Sequence, residues 1–82
     1  MVYRKYKFQF WSFTGNIQFQ HTKTLKFDSK QEARDWLQKT LSEDKYVEVD
    51  SEHDEMVFIP VRCITQIKVK EIEINTEENN NG

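Results

Sequence analysis

Cys63, His21 and His53 are the side chains with the widest chemical repertoire in the sequence. A thiol becomes a nucleophile when a base holds it as thiolate and a third group orients that base. Cys63 stands between Val61 and Ile64, which predicts an apolar setting where a thiol is inert. Neither histidine is spaced to serve it, and no serine occupies a G-x-S-x-G elbow. The two glycines, Gly15 and Gly82, leave no material for a phosphate-cradling loop. The expectation is therefore a protein that is not an enzyme, with no catalytic residues and no cofactor.

Residues 48–55 put five acids and His53 into eight positions. Asp50-x-Glu52-x-Asp54 begins a calcium-loop pattern, but its sixth position is Glu55 rather than glycine and its twelfth is Val61 rather than glutamate. Without a local pair such as C-x-x-C, Cys63 and the histidines make no zinc motif either. The segment reads as a solvated turn, and no metal site is expected.

Charge is more informative than motif. Residues 1–30 hold six basic side chains and one acid, a balance of +5, while residues 31–82 hold six and thirteen, a balance of −7. The net charge of −2 thus conceals a polarised chain. Lysine outnumbers arginine nine to three, the bias of AT-rich coding, which suggests a low-GC bacterium or its phage as source.

The elements that position these groups follow from periodicity. Residues 2–13 alternate with Tyr6, Phe8 and Phe10 on one side, and residues 17–27 alternate with Ile17, Phe19, His21, Lys23, Leu25 and Phe27 together. Period-two runs around Thr14-Gly15-Asn16 predict a long hairpin. The period then changes. Ser29 and Glu32 have capping-box spacing, and Ala33, Trp36, Leu37, Thr40 and Leu41 form one stripe, so a helix is expected over about 29–42.

Short strands are expected at Lys45–Val49, at Met56–Ile59 ending on Pro60, and from Val61 to Ile74 with either a bulge or an extension past the core near Lys70 and Glu71. The order β-β-α-β-β-β predicts one antiparallel α+β domain over residues 1–74, with a polar disordered tail at 75–82. One helix covers one face of the sheet, so the other face is either wet or curled toward a barrel. The expected core is Tyr6, Phe8, Phe10, Phe19, Leu25, Phe27, Ala33, Trp36, Leu37, Leu41, Val47, Phe58, Ile64 and Ile67.

Two surfaces stand out. Opposite Phe8 and Phe10 the hairpin presents Tyr3, Lys5, Lys7, Gln9 and Trp11 beside Gln18, Gln20, Thr22, Thr24 and Lys26, with no acid among them. Rings that stack on bases and ammonium groups that meet phosphates are the ingredients of single-stranded nucleic-acid binding. Glu48, Asp50, Glu52, Asp54 and Glu55, together with Glu43 and Asp44, form an acidic surface suited to docking on a basic protein partner. The first functional expectation is a small non-enzymatic binding protein that modulates or inhibits a protein partner; the alternative is a single-stranded DNA- or RNA-binding domain. Opposite poles or an exposed edge strand can also pair two copies as a homodimer. No apolar run approaches the roughly 20 residues of a membrane helix, the N-terminus lacks a signal-peptide core, and a lone cysteine suits a reducing cytoplasm, the expected location.

Overall fold

A computed structural model describes the backbone of residues 2–76 and the side chains of residues 4–72. The elements run β1 (Val2–Thr14), β2 (Ile17–Phe27), α1 (Lys30–Glu43), β3 (Tyr46–Val49), β4 (Val57–Pro60), a 3₁₀ turn (Val61–Cys63) and β5 (Ile64–Thr76). The described residues form an antiparallel α+β fold with one α-helix among them.

Alternating sequence makes β1 and β2 a hairpin in continuous register from Arg4 opposite Phe27 to Thr14 opposite Ile17. Only Gly15 and Asn16 are left to turn the chain, and Gly15 takes φ +63° while Asn16 does not have positive φ. That is the pattern of a II′ turn, which needs glycine first. The 13 residues of β1 extend about 43 Å at strand rise, which explains a molecule 52 Å long and 18 Å thin.

The last strand returns to the first. β5 pairs antiparallel with β1 on the side away from β2, giving the order β2-β1-β5. Its register slips twice: Tyr6 faces Glu71 while Lys5 faces Glu73, leaving Ile72 as an extra residue, and Thr65 is extra between the partners of Trp11 and Ser12. The first slip is the bulge, one of the two outcomes that the broken alternation after Val69 predicts. The strand also continues through Asn75 and Thr76, opposite Tyr3 and Val2, two residues past the expected domain boundary; the rest of the expected tail, 77–82, lies outside the described residues.

The helix starts where its cap requires. The Ser29 hydroxyl accepts the Glu32 N–H at 3.2 Å, and Glu32 Oε1 reaches back to the Asp28 N–H at 3.1 Å, one residue earlier than in the usual box. Trp36 then packs its ring 5.0 Å from Phe8 and 6.3 Å from Phe27. Tyr6, Phe8, Phe10, Ala33, Val47, Val49 and Ile59 form the buried core, with Leu25, Leu37, Val57, Val61, Ile64 and Ile67 against it.

β3 and β4 make a separate two-stranded ribbon that covers the Phe10 end of the same face. Two contacts tie it to β2: the Asp50 N–H donates to Thr22 O at 2.8 Å, and the Thr24 N–H donates to Asp50 Oδ2 at 2.8 Å. The sheet is open rather than closed into a barrel, with helix and ribbon both on the Phe8 side.

Two expected core residues are exposed. Phe19 (43% exposed) lies in the edge strand β2, whereas its partner Ser12 in the central strand is buried. Phe58 (52% exposed) faces outward because Val47 opposite Ile59 and Val49 opposite Val57 are the inward pairs of the ribbon, which puts Glu48 and Phe58 outside. Leu41 is half-buried and lies outside the core cluster.

Candidate interaction surfaces

The groups with reactive chemistry are dispersed. Cys63 is half-buried in the 3₁₀ turn rather than in a strand, because the chain leaving Pro60 coils once before β5 begins. His21 sits in β2 opposite Phe10, its ring stacked 6.4 Å from Phe19. His53 lies at the tip of the ribbon's turn, where its Nε2 stands 3.7 Å from Asp54 Oδ2 with both side chains over 90% exposed, a contact that water screens almost completely. Among the described residues no hydrogen bond joins these three, and no three His, Cys, Asp or Glu side chains converge as metal ligands. The 50–55 turn is instead shaped by its own bonds. Ser51 Oγ donates to Glu55 O at 2.7 Å, the Glu55 N–H donates to Glu52 O at 3.1 Å, and Asp54 takes φ +72°.

The acidic surface divides into two parts with different roles. Asp50 is exposed but bonded to the neighbouring strand: its Oδ2 accepts the Thr24 N–H at 2.8 Å while its own N–H donates to Thr22 O. It therefore acts as a clamp between ribbon and β2, and is committed within the fold. Glu48, Glu52, Asp54 and Glu55 remain exposed. Beside them stand three apolar side chains, Tyr46 at 54% exposure, Met56 at 75% and Phe58 at 52%, of which Phe58 is one of the expected core residues. Tyr46 and Phe58 line a shallow cleft of about 550 Å³ with Glu43, Asp44 and Lys45.

The second surface is the face of the three-stranded sheet away from the helix. Lys5, Lys7, Gln9 and Trp11 run down its centre, flanked on β2 by Lys26, Thr24, Thr22 and Gln20. Register with β5 adds Glu73, Lys70, Lys68 and Gln66 on the other flank. The hairpin's expected acid-free face thus gains two lysines from a strand about 60 residues away in sequence, and Glu73 is the register partner of Lys5. The side chain of Tyr3 lies outside the described residues. Trp11 is half-buried between its neighbours and does not pack against the core, and Phe13, two residues on, is 43% exposed. No helix among the described residues is long and apolar enough to cross a membrane.

Compared with known proteins, the chain matches no family model, no curated sequence and no solved structure.

Proposed function

We propose that this chain is a non-enzymatic binding protein that docks on a basic surface of a protein partner through the outer face of its β3–β4 ribbon, modulating or inhibiting that partner by occupying it. The observation that carries this reading is the exposure of Tyr46, Met56 and Phe58 on one small element surrounded by carboxylates. Large apolar side chains grouped on the surface of a small domain lose free energy to water until something covers them. Aromatic residues and Met are the types enriched at interface centres, and a charged rim steers encounter and excludes wrong partners.

Helix α1 adds a second support. It ends in Glu43 and Asp44 and carries no basic residue in its last turn. A helix C-terminus bears partial negative charge, so carboxylates there are locally unfavourable. A cationic side chain from a partner, seated on the Glu43 and Asp44 side of the cleft that they line with Lys45, Tyr46 and Phe58, would relieve that conflict.

The test is affinity capture at moderate salt with the wild-type chain and with a Met56→Ser/Phe58→Ser variant, whose replaced side chains are solvent-exposed. A partner held by the wild type and released by the variant, and weakened again by Glu48→Gln/Glu52→Gln, supports ribbon docking. Equal capture by wild type and the serine variant overturns it.

A further inference from the structure

We infer that the open face of the β2-β1-β5 sheet is a binding site for single-stranded nucleic acid, with β5 rather than the hairpin alone supplying its phosphate contacts. The site lies on the other side of the molecule's core from the ribbon and goes beyond the protein-docking role.

Four observations converge on it. Lys7 stands opposite Lys70, and Lys68 follows one pleat further along β5, opposite Gln9. Neighbouring strands are about 4.8 Å apart and alternate residues about 6.7 Å apart, so these three ammonium groups form one compact triangle of like charge. None of the three makes an ion pair or side-chain hydrogen bond among the described residues. Like charges placed side by side across strands destabilise a sheet, and a polyanion laid over them removes that penalty.

The rings come next. Trp11 and Phe13 lie on the same face, one and two pleats beyond Gln9, and neither ring stacks on another aromatic side chain. Cations and rings are therefore segregated along β1, cations toward one end and rings toward the other, over about 26 Å of strand. A flexible single strand can follow that surface with phosphates on the triangle and bases on the rings. A stiff duplex keeps its bases stacked inside and cannot use Trp11 or Phe13. The flanking Gln20, Gln66, Thr22 and Thr24 are polar and carry no charge that would repel phosphate. An acidic polypeptide would match the lysines equally well but has no use for two open rings, so nucleic acid is the ligand favoured.

The experiment is tryptophan fluorescence and NMR titration of the full chain with oligo-dT and oligo-U of about ten nucleotides over a salt series, with polyglutamate as the control polyanion. Three engaged lysines predict a slope of log K against log salt of about −2. Lys68→Gln/Lys70→Gln should make the slope shallower by about 1.4 and weaken binding roughly tenfold or more at low salt. Trp11→Ala should weaken binding about fivefold or more while leaving the slope unchanged, because stacking releases no counterions. Phe13→Ala, at a position too exposed to threaten folding, is the companion variant and should act in the same sense.

Binding of polyglutamate as tight as that of oligo-dT, with no effect of Trp11→Ala or Phe13→Ala, would reduce the face to a nonspecific cationic surface and overturn the inference. So would an unchanged spectrum at low salt. Failure here leaves ribbon docking intact, since Met56 and Phe58 are untouched by any of these variants.

Discussion

Replacing Asp50 with alanine removes one hydrogen bond of the pair that fixes the ribbon to the sheet edge. The Asp50 N–H still reaches Thr22 O, but the Thr24 N–H loses its carboxylate acceptor at 2.8 Å. Hydrogen bonds to charged groups contribute about 1.5–3 kcal/mol when protected from water. Here the site is exposed and water can re-bond the Thr24 N–H, so the expected loss is at or below the lower limit of that range, about 1–1.5 kcal/mol. For a domain of this size a urea m-value near 1 kcal/mol/M turns that into a midpoint about 1 M lower. Asp50→Asn keeps an oxygen acceptor without the charge and should lose roughly half as much. Urea denaturation followed by circular dichroism reads the global effect, and hydrogen exchange reads the local one: Thr24 should lose about tenfold protection in Asp50→Ala. An unchanged midpoint together with an unchanged Thr24 exchange rate would show that Asp50 is not a clamp, and would return it to the acidic docking surface.

Core truncation should separate the aromatic residues sharply. Phe8→Ala, at a position with no exposed surface, is expected to lose about 3–5 kcal/mol and leave the domain largely unfolded, whereas Phe19→Ala and Phe58→Ala should each lose about 1 kcal/mol or less; thermal melts of the three side by side decide it. Gly15→Ala adds a Cβ with nothing within 4 Å of it at φ +63°, so its loss of about 1 kcal/mol, read from the same melts, should be purely conformational. Asp54→Gly acts in the opposite direction. It relaxes a residue at φ +72° whose contact with His53 is fully hydrated, and should raise the denaturation midpoint by the equivalent of about 0.5–1 kcal/mol.

Elements whose signal is local are legible in the amino-acid sequence itself. The hairpin, the helix with its Ser29 cap and the bulge in β5 each announce themselves within a short stretch of chain, through alternation, capping spacing and a slipped phase. The ribbon does not. In M-V-F-I either Phe58 or its two neighbours can face inward, and a run that is apolar on both phases carries no preference. Register with Tyr46–Val49 decides it, burying Val57 and Ile59 and leaving Phe58 outside. Phe19 departs from expectation for another reason: its phase is right, but it lies in the edge strand β2 and keeps part of its ring in water, while its partner Ser12 in the central strand is buried. Coverage of a face depends on where distant elements land, which periodicity does not encode. The clamp at Asp50 is equally hidden, since an aspartate bonded to a neighbouring strand and one in open water look alike in a run of acids.

The distribution of charge shows how topology changes a surface that sequence arithmetic describes. Along the chain, Lys68 and Lys70 belong to the acidic half, where they are outnumbered by carboxylates. In space they belong to the basic face, because β5 crosses to the free edge of β1 and sets Lys70 opposite Lys7. Glu48, Glu52, Asp54 and Glu55 stay on the ribbon and its turn, so the fold separates Lys68 and Lys70 from acids of their own half of the chain. A sheet order with β5 beside β2 would have kept Lys68 and Lys70 apart from Lys7 and dissolved the triangle. The cluster of Lys7, Lys68 and Lys70 therefore depends on strand order. Lys68→Gln/Lys70→Gln probes that order, since these are the lysines that a hairpin acting alone would never have recruited.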